Sequence, residues 1–322
     1  MSLDTKILTA LREAGSVSGA ELSRQLGVSR AAIWARIEEL RSLGYDIEAS
    51  PHLGYRLLSA PDRLHADDLT SRLGKTKIVG REIQVFEETT STNDVVEKLA
   101  RDGVKEGAVV FAESQTKGRG RLGRKWISPQ RQGLWFSVLL RPDLRPQAAT
   151  QLTVAAATAL FRAIVSQTNL SPEIKWPNDI LIRGKKVAGI LTELSAELDH
   201  VKYLILGIGV DVNLPEFPPE LRKIATSLKI ETGRDVNRSE LAVAILRELD
   251  LDYGRIGAGQ FERVANEWEE HCTTLGRNVA IHIGERAMHG RAESLDADGA
   301  LLLRTQHGHL ERIIGGDVTL EK

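Results

Sequence analysis

The sequence contains a single cysteine, Cys272, among 322 residues. One thiol excludes an intramolecular disulfide framework and a zinc site built from several cysteines, and it is compatible with a reducing compartment. The formal net charge of −1 provides no overall field that would draw the chain to nucleic acid or to a membrane. By inspection of the sequence we expect no apolar run to reach the length of a membrane span, and the N-terminus lacks an apolar signal segment. We therefore expect a cytoplasmic protein.

Common catalytic signatures are also missing. The sequence shows no evident Ser/His/Asp triad, nucleophilic cysteine or metal-binding histidine cluster. Histidines 282, 289, 307 and 309 are scattered near the C-terminus, and we interpret them as surface or packing residues. A content of 42% hydrophobic and 27% charged residues is ordinary for a globular protein, and the length allows two or three domains.

The most distinctive segment that is present is Gly118–Trp126, with the sequence GRGRLGRKW. It combines three glycines with four cations and has no acidic residue. Glycines let backbone N–H groups approach an anion, and the cations supply charge for phosphate or carboxylate. Apolar segments 107–112 and 133–140 flank it. We expect a mobile, anion-binding loop between two strands.

Two familiar phosphate motifs do not explain this loop. Its glycines match G-x-G-x-x-G, but a dinucleotide site needs a helix that opens at the third glycine, and Pro129 soon follows instead. The Walker A pattern fails because Arg124 stands where lysine is required. Taken alone, the loop is as consistent with a solvated linker or a nucleic-acid patch as with a ligand loop.

The first sixty residues predict a winged helix-turn-helix domain. Ser18 and Ser29 are placed to cap two successive helices, the second running from Arg30 to Leu43, and residues 47–57 read as a two-stranded wing. Ile33, Ile37 and Leu40 would face the core. The candidate DNA-binding residues are Ser29, Arg30, Trp34 and Arg36, of which the last three are left free to face outward.

A plain three-helix protein-interaction module remains the alternative for this domain. Residues 1–58 contain seven Lys/Arg and seven Asp/Glu, a weak balance for DNA binding. We favour DNA because helix order, turn and wing agree, and the balanced charge suggests that the chain binds as a dimer, which doubles the phosphate contacts.

After a linker at residues 59–63, the pattern mixes helices and strands up to residue 272. We expect an α+β fold with the strands clustered and the helices on one side. Predicted helices cover 65–73, 95–101, 146–168, 238–253 and 261–272, and predicted strands include 83–87, 187–194 and 203–210. Residues 273–322 contain several short strands with a turn at Asp298-Gly299, which predicts a small SH3-like barrel.

Three further segments carry candidate chemistry. In Lys175–Asp179, Asn178 can bind an adenine edge and Asp179 can bind Mg²⁺, although a plain Asn-Asp turn is common. In Gly184–Leu191, lysine at the mouth of a strand suits a carboxylate or an α-phosphate, or forms a solvated pair in a hairpin. Gly207 and Gly209 within a strand indicate close approach of a ligand or a backbone, or equally a bulge.

Ser91-Thr92-Asn93, the Gly118–Trp126 loop, Lys175–Asp179 and Gly184–Leu191, in this order, resemble the bacterial biotin–protein ligases that also repress biotin operons. The N-terminal winged helix and the C-terminal barrel complete that architecture, so the resemblance spans essentially the whole chain. It implies a DNA-binding domain at 1–60, a class II synthetase-like α+β catalytic domain at 64–272 and the SH3-like barrel at 273–322.

The resemblance implies a two-step reaction. Biotin and ATP, with Mg²⁺, would give biotinyl-5′-AMP, and a lysine of a biotin carboxyl carrier protein would then attack it. The implied partners also include operator DNA and a second copy of the chain, with the homodimer promoted by biotinyl-5′-AMP. Two alternatives are a ligand-sensing transcription factor without ligase activity and a lipoate–protein ligase, which typically lacks the Lys175–Asp179 turn and the winged helix.

The same resemblance implies roles for individual residues. Lys186 and Arg119 would be catalytic, and Asp179 would contact Mg²⁺. Biotin would be bound by Ser91, Thr92, Asn93, Gln115, Gly118, Arg119, Arg121, Lys186 and Gly189. The nucleotide would be bound by Arg124, Trp126, Asn178, Gly207, Gly209 and Asp211. Asp211 departs from the family pattern, which commonly has asparagine there.

Overall fold

The computed structural model describes residues 1–51 and 53–321, and the chain divides into two compact units, Met1–Lys75 and Thr76–Lys322. The boundary therefore falls after the predicted linker at 59–63. The reason is a helix at Ala66–Leu73 that packs on the first helix of the chain, where Arg12 forms an ion pair with Asp68. His52, in the predicted wing, lies outside the described residues.

The first unit contains the predicted helices and wing. Its elements are α1 Leu3–Ala14, α2 Gly19–Leu26, α3 Arg30–Ser42, the hairpin of β1 Asp46–Ser50 and β2 Gly54–Ser59, and α4 Ala66–Leu73. Ser18 Oγ accepts from the Glu21 N–H and Ser29 Oγ accepts from the Ala32 N–H, each at 3.1 Å, which confirms the predicted helix starts. Ile33, Ile37 and Leu40 are buried, as expected.

Arg36 does not face outward as a free cation. Its Nε donates to Asp4 Oδ1 at 2.7 Å, and its guanidinium also pairs with Glu39. The helical spacing placed Arg36 beside α1, where an acidic residue was available. The prediction of a free Arg36 is therefore wrong, whereas Arg30 and Trp34 are exposed.

The second unit is built on a seven-stranded sheet of order β3-β4-β5-β9-β8-β7-β6. Only β3 and β4 are parallel, and every other neighbouring pair is antiparallel. The strands are β3 Glu82–Phe86, β4 Ala108–Ala112, β5 Gly133–Leu140, β6 Glu173–Lys175, β7 Asp179–Ile182, β8 Lys185–Glu197 and β9 His200–Asp211. The predicted strands on either side of the glycine-rich loop are thus confirmed as β4 and β5.

Helices lie on both faces of this sheet, which corrects the expectation of one side. Asn93 of α5 contacts Gly207 of β9, whereas Thr153 of α6 bonds Thr192 of β8 at 2.8 Å. Thr192 pairs with Leu206 on the adjacent strand β9, and paired residues point to the same face of the sheet. Gly207 is the next residue of β9 and therefore belongs to the opposite face. The helices are α5 Thr92–Arg101, α6 Thr150–Thr168, α7 Leu228–Thr232, α8 Arg238–Gly257 and α9 Phe261–His271.

One helical stretch, Pro146–Thr168, is long and apolar enough to cross a membrane by length and composition. The expectation that no run reaches this length is therefore wrong. A 3₁₀ turn at Pro146–Ala148 precedes α6, and 72% of the apolar window is buried inside the protein. The stretch is a core helix, because its alanine-rich surface packs against the sheet and two other helices.

The C-terminal segment forms a five-stranded antiparallel sheet of order β13-β12-β11-β10-β14. Its strands are β10 Asn278–Ile283, β11 Arg286–Leu295, β12 Leu301–Thr305, β13 Leu310–Ile313 and β14 Asp317–Leu320. The turn at residues 296–299 docks on the start of α6, where Thr150 Oγ1 donates to the Asp298 carbonyl at 2.6 Å. The β13–β14 turn lies beside the glycine-rich loop, where Arg121 Nη1 donates to the Gly316 carbonyl at 3.4 Å.

Candidate active site

A cavity of about 740 Å³ opens on the face of the seven-stranded sheet that carries α5. It is lined by the glycine-rich loop, the start of α5, the β6–β8 region, β9, the segment 217–225 and the beginning of β14. It therefore collects the sequence segments singled out above. The predicted site residues that line it are Ser91, Thr92, Asn93, Gln115, Arg119, Arg121, Arg124, Trp126, Asn178, Asp179, Lys186, Gly189, Gly207, Gly209 and Asp211.

The glycine-rich loop folds back on itself as a tight hairpin. The Trp126 N–H donates to the Gly118 carbonyl at 2.9 Å, and the Gly120 N–H donates to the Arg124 carbonyl at 2.7 Å. A Cβ on Gly118 would lie 2.5 Å from the Trp126 carbonyl oxygen. Gly118 is thus required by the loop's own backbone, and the hairpin returns Trp126 to the cavity.

Glycines clear the floor of the cavity for two side chains of the chain itself. A Cβ on Gly209 would lie 2.7 Å from the Trp126 indole, and one on Gly207 would lie 2.3 Å from Asn93 Oδ1. The strand glycines therefore mark close approach, made by Trp126 and Asn93. Trp126 Nε1 is buried and has no hydrogen-bond partner within the described residues, so a donor remains at the cavity floor.

Three of the cations at the site are paired with carboxylates. Lys186 Nζ lies 2.6 Å from Asp179 Oδ1 and 5.1 Å from the centre of the Trp126 ring. Arg124 pairs with Asp317 of β14. Arg119 lies 2.6 Å from Asp94 and 3.0 Å from Glu193, and these bonds raise the pKa of its guanidinium. Arg119 therefore ties the loop to α5 and β8.

Arg121 differs from these cations. Its Nη1 lies 3.2 Å from Asn178 Oδ1 and 3.4 Å from the Gly316 carbonyl, both uncharged acceptors. Burial lowers the pKa of its guanidinium, because a charge in low dielectric lacks solvation. In the described part of the chain it has no carboxylate within ion-pair distance. Arg121 is thus a partly buried cation at the cavity whose hydrogen-bond partners among the described residues are uncharged, and an anionic ligand would stabilise its charge.

A buried polar cluster forms the end of the cavity beside α5. Gln115 Oε1 accepts from the Thr92 N–H at 2.9 Å, and Gln115 Nε2 donates to Ser128 Oγ at 3.0 Å. Ser137 Oγ lies 2.7 Å from Thr92 Oγ1 and donates to Asn93 Oδ1 at 2.5 Å. These hydrogen bonds hold the polar side chains in place at this end of the cavity, an arrangement suited to a compact polar ligand.

Sequence reasoning missed several residues of the site. Asn93 Nδ2 donates to Glu193 at 2.8 Å, so Glu193 links the polar cluster to Arg119. Ser137 could have been noticed as a polar residue in the apolar strand β5. No local sequence pattern pointed to Asp94 or Asp317. Their partners, Arg119 and Arg124, both belong to the glycine-rich loop, which is distant from them in sequence.

The floor of the cavity also contains Asp211, at the end of β9. It is 6% exposed, and burial raises the pKa of its carboxyl well above the ordinary value, which the charge of Lys186 opposes. Across residues 1–51 and 53–321, no group of three His, Cys, Asp or Glu side chains could hold a metal on its own. Asp179 as one carboxylate fits a Mg²⁺ that takes its other ligands from phosphates and water.

A fully buried ion pair fixes both ends of the glycine-rich loop segment. Arg238 Nη1 lies 2.6 Å from Glu113 Oε2 and donates to the Gly133 carbonyl at 3.2 Å. Glu113 follows β4 and Gly133 begins β5. Arg238, the first residue of α8, thus connects the end of β4, which precedes the loop segment, to the start of β5, which follows it.

Comparisons with known families and structures identify the family of this chain. The sequence profile of the Biotin/lipoate A/B protein ligase family matches residues 85–211. Profiles of an HTH domain and of the Biotin protein ligase C terminal domain match residues 4–56 and 274–320. The three matches occur in the order predicted for the domains.

Individual relatives cover the whole chain. The Bifunctional ligase/repressor BirA of Bacillus subtilis (strain 168) is 38% identical, with 99% of each chain covered. The protein of the same description from Escherichia coli (strain K12) is 30% identical and covers 98% of this chain and 96% of its own. The biotin protein ligase from Aquifex aeolicus, solved with biotin and ATP, superposes with a TM-score of 0.64 at 33% identity over 75% of this chain and 99% of that one. The chain belongs to the biotin protein ligase family, in the form that carries an N-terminal helix-turn-helix domain.

Proposed function

We propose that this chain activates biotin with ATP as biotinyl-5′-AMP and transfers the biotinyl group to a lysine of a biotin carboxyl carrier protein. The observation that carries the proposal is the convergence of Lys186, Arg121 and Arg124 on one glycine-floored cavity. Joining a carboxylate to an α-phosphate brings two anions together, and cations must offset their repulsion and stabilise the charged transition state.

Biotin would occupy the end of the cavity beside α5. Its compact ureido group suits Thr92 and Gln115 of the polar cluster together with Ser91, which also lines the cavity, with Asn93 held beneath them. Its carboxylate would lie between Arg121 and Lys186, both of which reach the cavity. Gly189 would leave room for the bound molecule, and Gly118 and Arg119 would contribute through the fold and the position of the loop.

The nucleotide would lie beside Trp126 and Asn178. Trp126 offers an aromatic face and an unpaired N–H, and Arg124 offers charge to the phosphates once it leaves Asp317. Gly207, Gly209 and Asp211 would form the floor. Mg²⁺, bound by Asp179 together with phosphate oxygens, would neutralise phosphate charge.

In the second step the carrier lysine attacks the carbonyl of the mixed anhydride and AMP leaves. Lys186 would stabilise charge on the phosphate as the bond breaks, and the loop would exclude water, which otherwise hydrolyses the adenylate. Consumption of ATP supports a cytoplasmic location.

Residues 1–60 would add a second role as a biotin-responsive repressor. Ser29, Arg30 and Trp34 lie on or at the start of α3, the helix placed to enter a major groove, whereas Arg36 on the same helix is held by Asp4 and Glu39. Catalytic chemistry would lie within 64–272, and 273–322 would supply the C-terminal domain. Biotinyl-5′-AMP would promote a homodimer that binds a two-fold symmetric operator.

The test of ligase function is transfer of labelled biotin to a purified biotin carboxyl carrier domain, with ATP and Mg²⁺ and with lipoate as a competing acid. We expect transfer that lipoate does not suppress, and loss of about a hundredfold or more for Lys186→Ala. The matched control is Lys185→Ala, which removes the neighbouring lysine. Equal activity of both variants, or no transfer by the native chain, would contradict the proposal.

A further inference from the structure

The side of α3 that faces away from the core is unusually apolar. Ile33 and Ile37 are fully buried, whereas Ala31, Trp34 and Ala35 are exposed, with 59% of Trp34 accessible. The spacing i, i+3, i+4 places these three side chains on one face. Packing of the domain core does not account for an indole at this exposed position, which suits a contact with a partner outside the unit.

The charges on α3 leave this apolar face with one free cation. Arg36 is bound to Asp4 and Glu39, and Arg41 is bound to Glu38 at 2.6 Å. Arg30, at the start of α3, is exposed and has no ion pair or hydrogen bond within the described residues of the first unit. The same holds for Arg24 on α2.

Free arginines on two successive helices favour a polyanion as the partner. A second copy of the chain would bring the same cations to the same surface, which argues against self-association through this face. Duplex DNA supplies phosphates for the arginines, and its major groove admits a helix. In that groove thymine is the base that presents an apolar group, its 5-methyl, which alanine and aromatic side chains contact.

We propose that Ala31, Trp34 and Ala35 recognise thymine 5-methyl groups in the major groove, so that each operator half-site has thymines where α3 lies. This inference rests on the proposed repressor function and adds the base that the helix selects. With seven positive and seven negative residues in 1–58, phosphate attraction is small, and apolar base contacts provide a large share of the discrimination.

The experiment removes the methyl groups and nothing else. The full chain, with biotin, ATP and Mg²⁺, selects tight-binding duplexes from a pool with a randomised 40-base-pair segment. The best duplex is then remade with deoxyuridine in place of single thymines, and Kd is measured by fluorescence anisotropy. We expect about fourfold weaker binding for each contacted methyl, at symmetric positions in the two half-sites.

Variants connect the effect to α3. In Trp34→Ala, deoxyuridine should no longer weaken binding at the positions that Trp34 contacts, whereas positions contacted by Ala31 and Ala35 should keep their response. Leu43→Ala, which removes another exposed apolar side chain from the C-terminal end of α3, should retain the native response to deoxyuridine. Melting temperatures of both variants show whether the domain remains folded.

The outcomes separate this inference from the repressor proposal. Tight, sequence-selective binding with no effect of deoxyuridine overturns the thymine inference and leaves the repressor role intact. Failure to enrich any duplex overturns both. A Trp34→Ala variant that keeps the full deoxyuridine effect, or that loses only dimerisation in sedimentation, overturns the assignment of this face to DNA.

Discussion

Lys186 Nζ lies 2.6 Å from Asp179 Oδ1, so the cation proposed to meet the substrate carboxylate is already held by a carboxylate of the chain. Asp179 is on β7 and Lys186 is on β8, in adjacent antiparallel strands. The pair positions the ammonium group over Trp126 and balances its charge before substrate arrives. A substrate anion must compete with Asp179 for Lys186.

Removal of that competitor should strengthen biotin binding in the absence of ATP and Mg²⁺. For Asp179→Asn we expect a Kd for biotin about two- to fivefold lower, the range for a partly exposed ion pair. The same variant should lose ATP-dependent turnover, because the Mg²⁺ contact is gone. Isothermal titration calorimetry with biotin alone measures the first effect, and an unchanged or higher Kd would contradict it.

Asp317 offers a parallel test at the nucleotide end. It pairs with Arg124 and also places negative charge near Arg121. For Asp317→Asn we expect the KM for ATP to fall about two- to fivefold with little change in the KM for biotin, since only phosphates compete for Arg124. Initial rates of pyrophosphate release give both constants. Glu285→Gln, a charge removal at an exposed turn, is the control, and equal effects of the two variants would argue against a specific role of Asp317.

Local patterns predicted the elements well and the side-chain partners poorly. Ser18 and Ser29 specify helix starts through contacts within three residues, and these predictions were confirmed. The glycines at 118 and 207 indicated close approach, but the approaching groups, the Trp126 backbone and Asn93, come from other segments. Arg36 and Arg119 have acidic partners 32 and 25 residues away, respectively, and tertiary folding alone brings these together. The residue types therefore indicated an anion-binding site, whereas the ion-pair partner of each cation could be identified only from the structure.

Asp211 should make stability depend on pH. Burial raises the pKa of its carboxyl above the ordinary value of 3.8, so the folded state retains a proton that the unfolded state has released. Stability contributed by this group is then present below about pH 4 and is lost as pH rises through the folded pKa. Asp211→Asn removes this dependence. We expect the melting temperature of the variant, relative to the native chain, to rise as the pH increases above about 4 and to level off once the pH exceeds the folded pKa; a pH-independent difference would contradict the assignment.

The buried pair of Glu113 and Arg238 should be the most sensitive structural position near the loop. Both side chains are fully buried, and Arg238 also donates to the Gly133 carbonyl. Glu113→Gln removes one carboxylate charge from beside a buried guanidinium, and truncating one partner of a buried ion pair costs about 3–5 kcal/mol.

The double variant Glu113→Gln/Arg238→Met also removes the buried guanidinium charge and should recover part of that loss, although the Gly133 carbonyl then loses the Arg238 donor. Guanidinium unfolding followed by tryptophan fluorescence gives the free energies, since four of the five tryptophans lie in the second unit. A loss below about 1 kcal/mol for Glu113→Gln would show that water or another group already compensates the arginine, and a double variant less stable than Glu113→Gln would show that Arg238 acts mainly through Gly133.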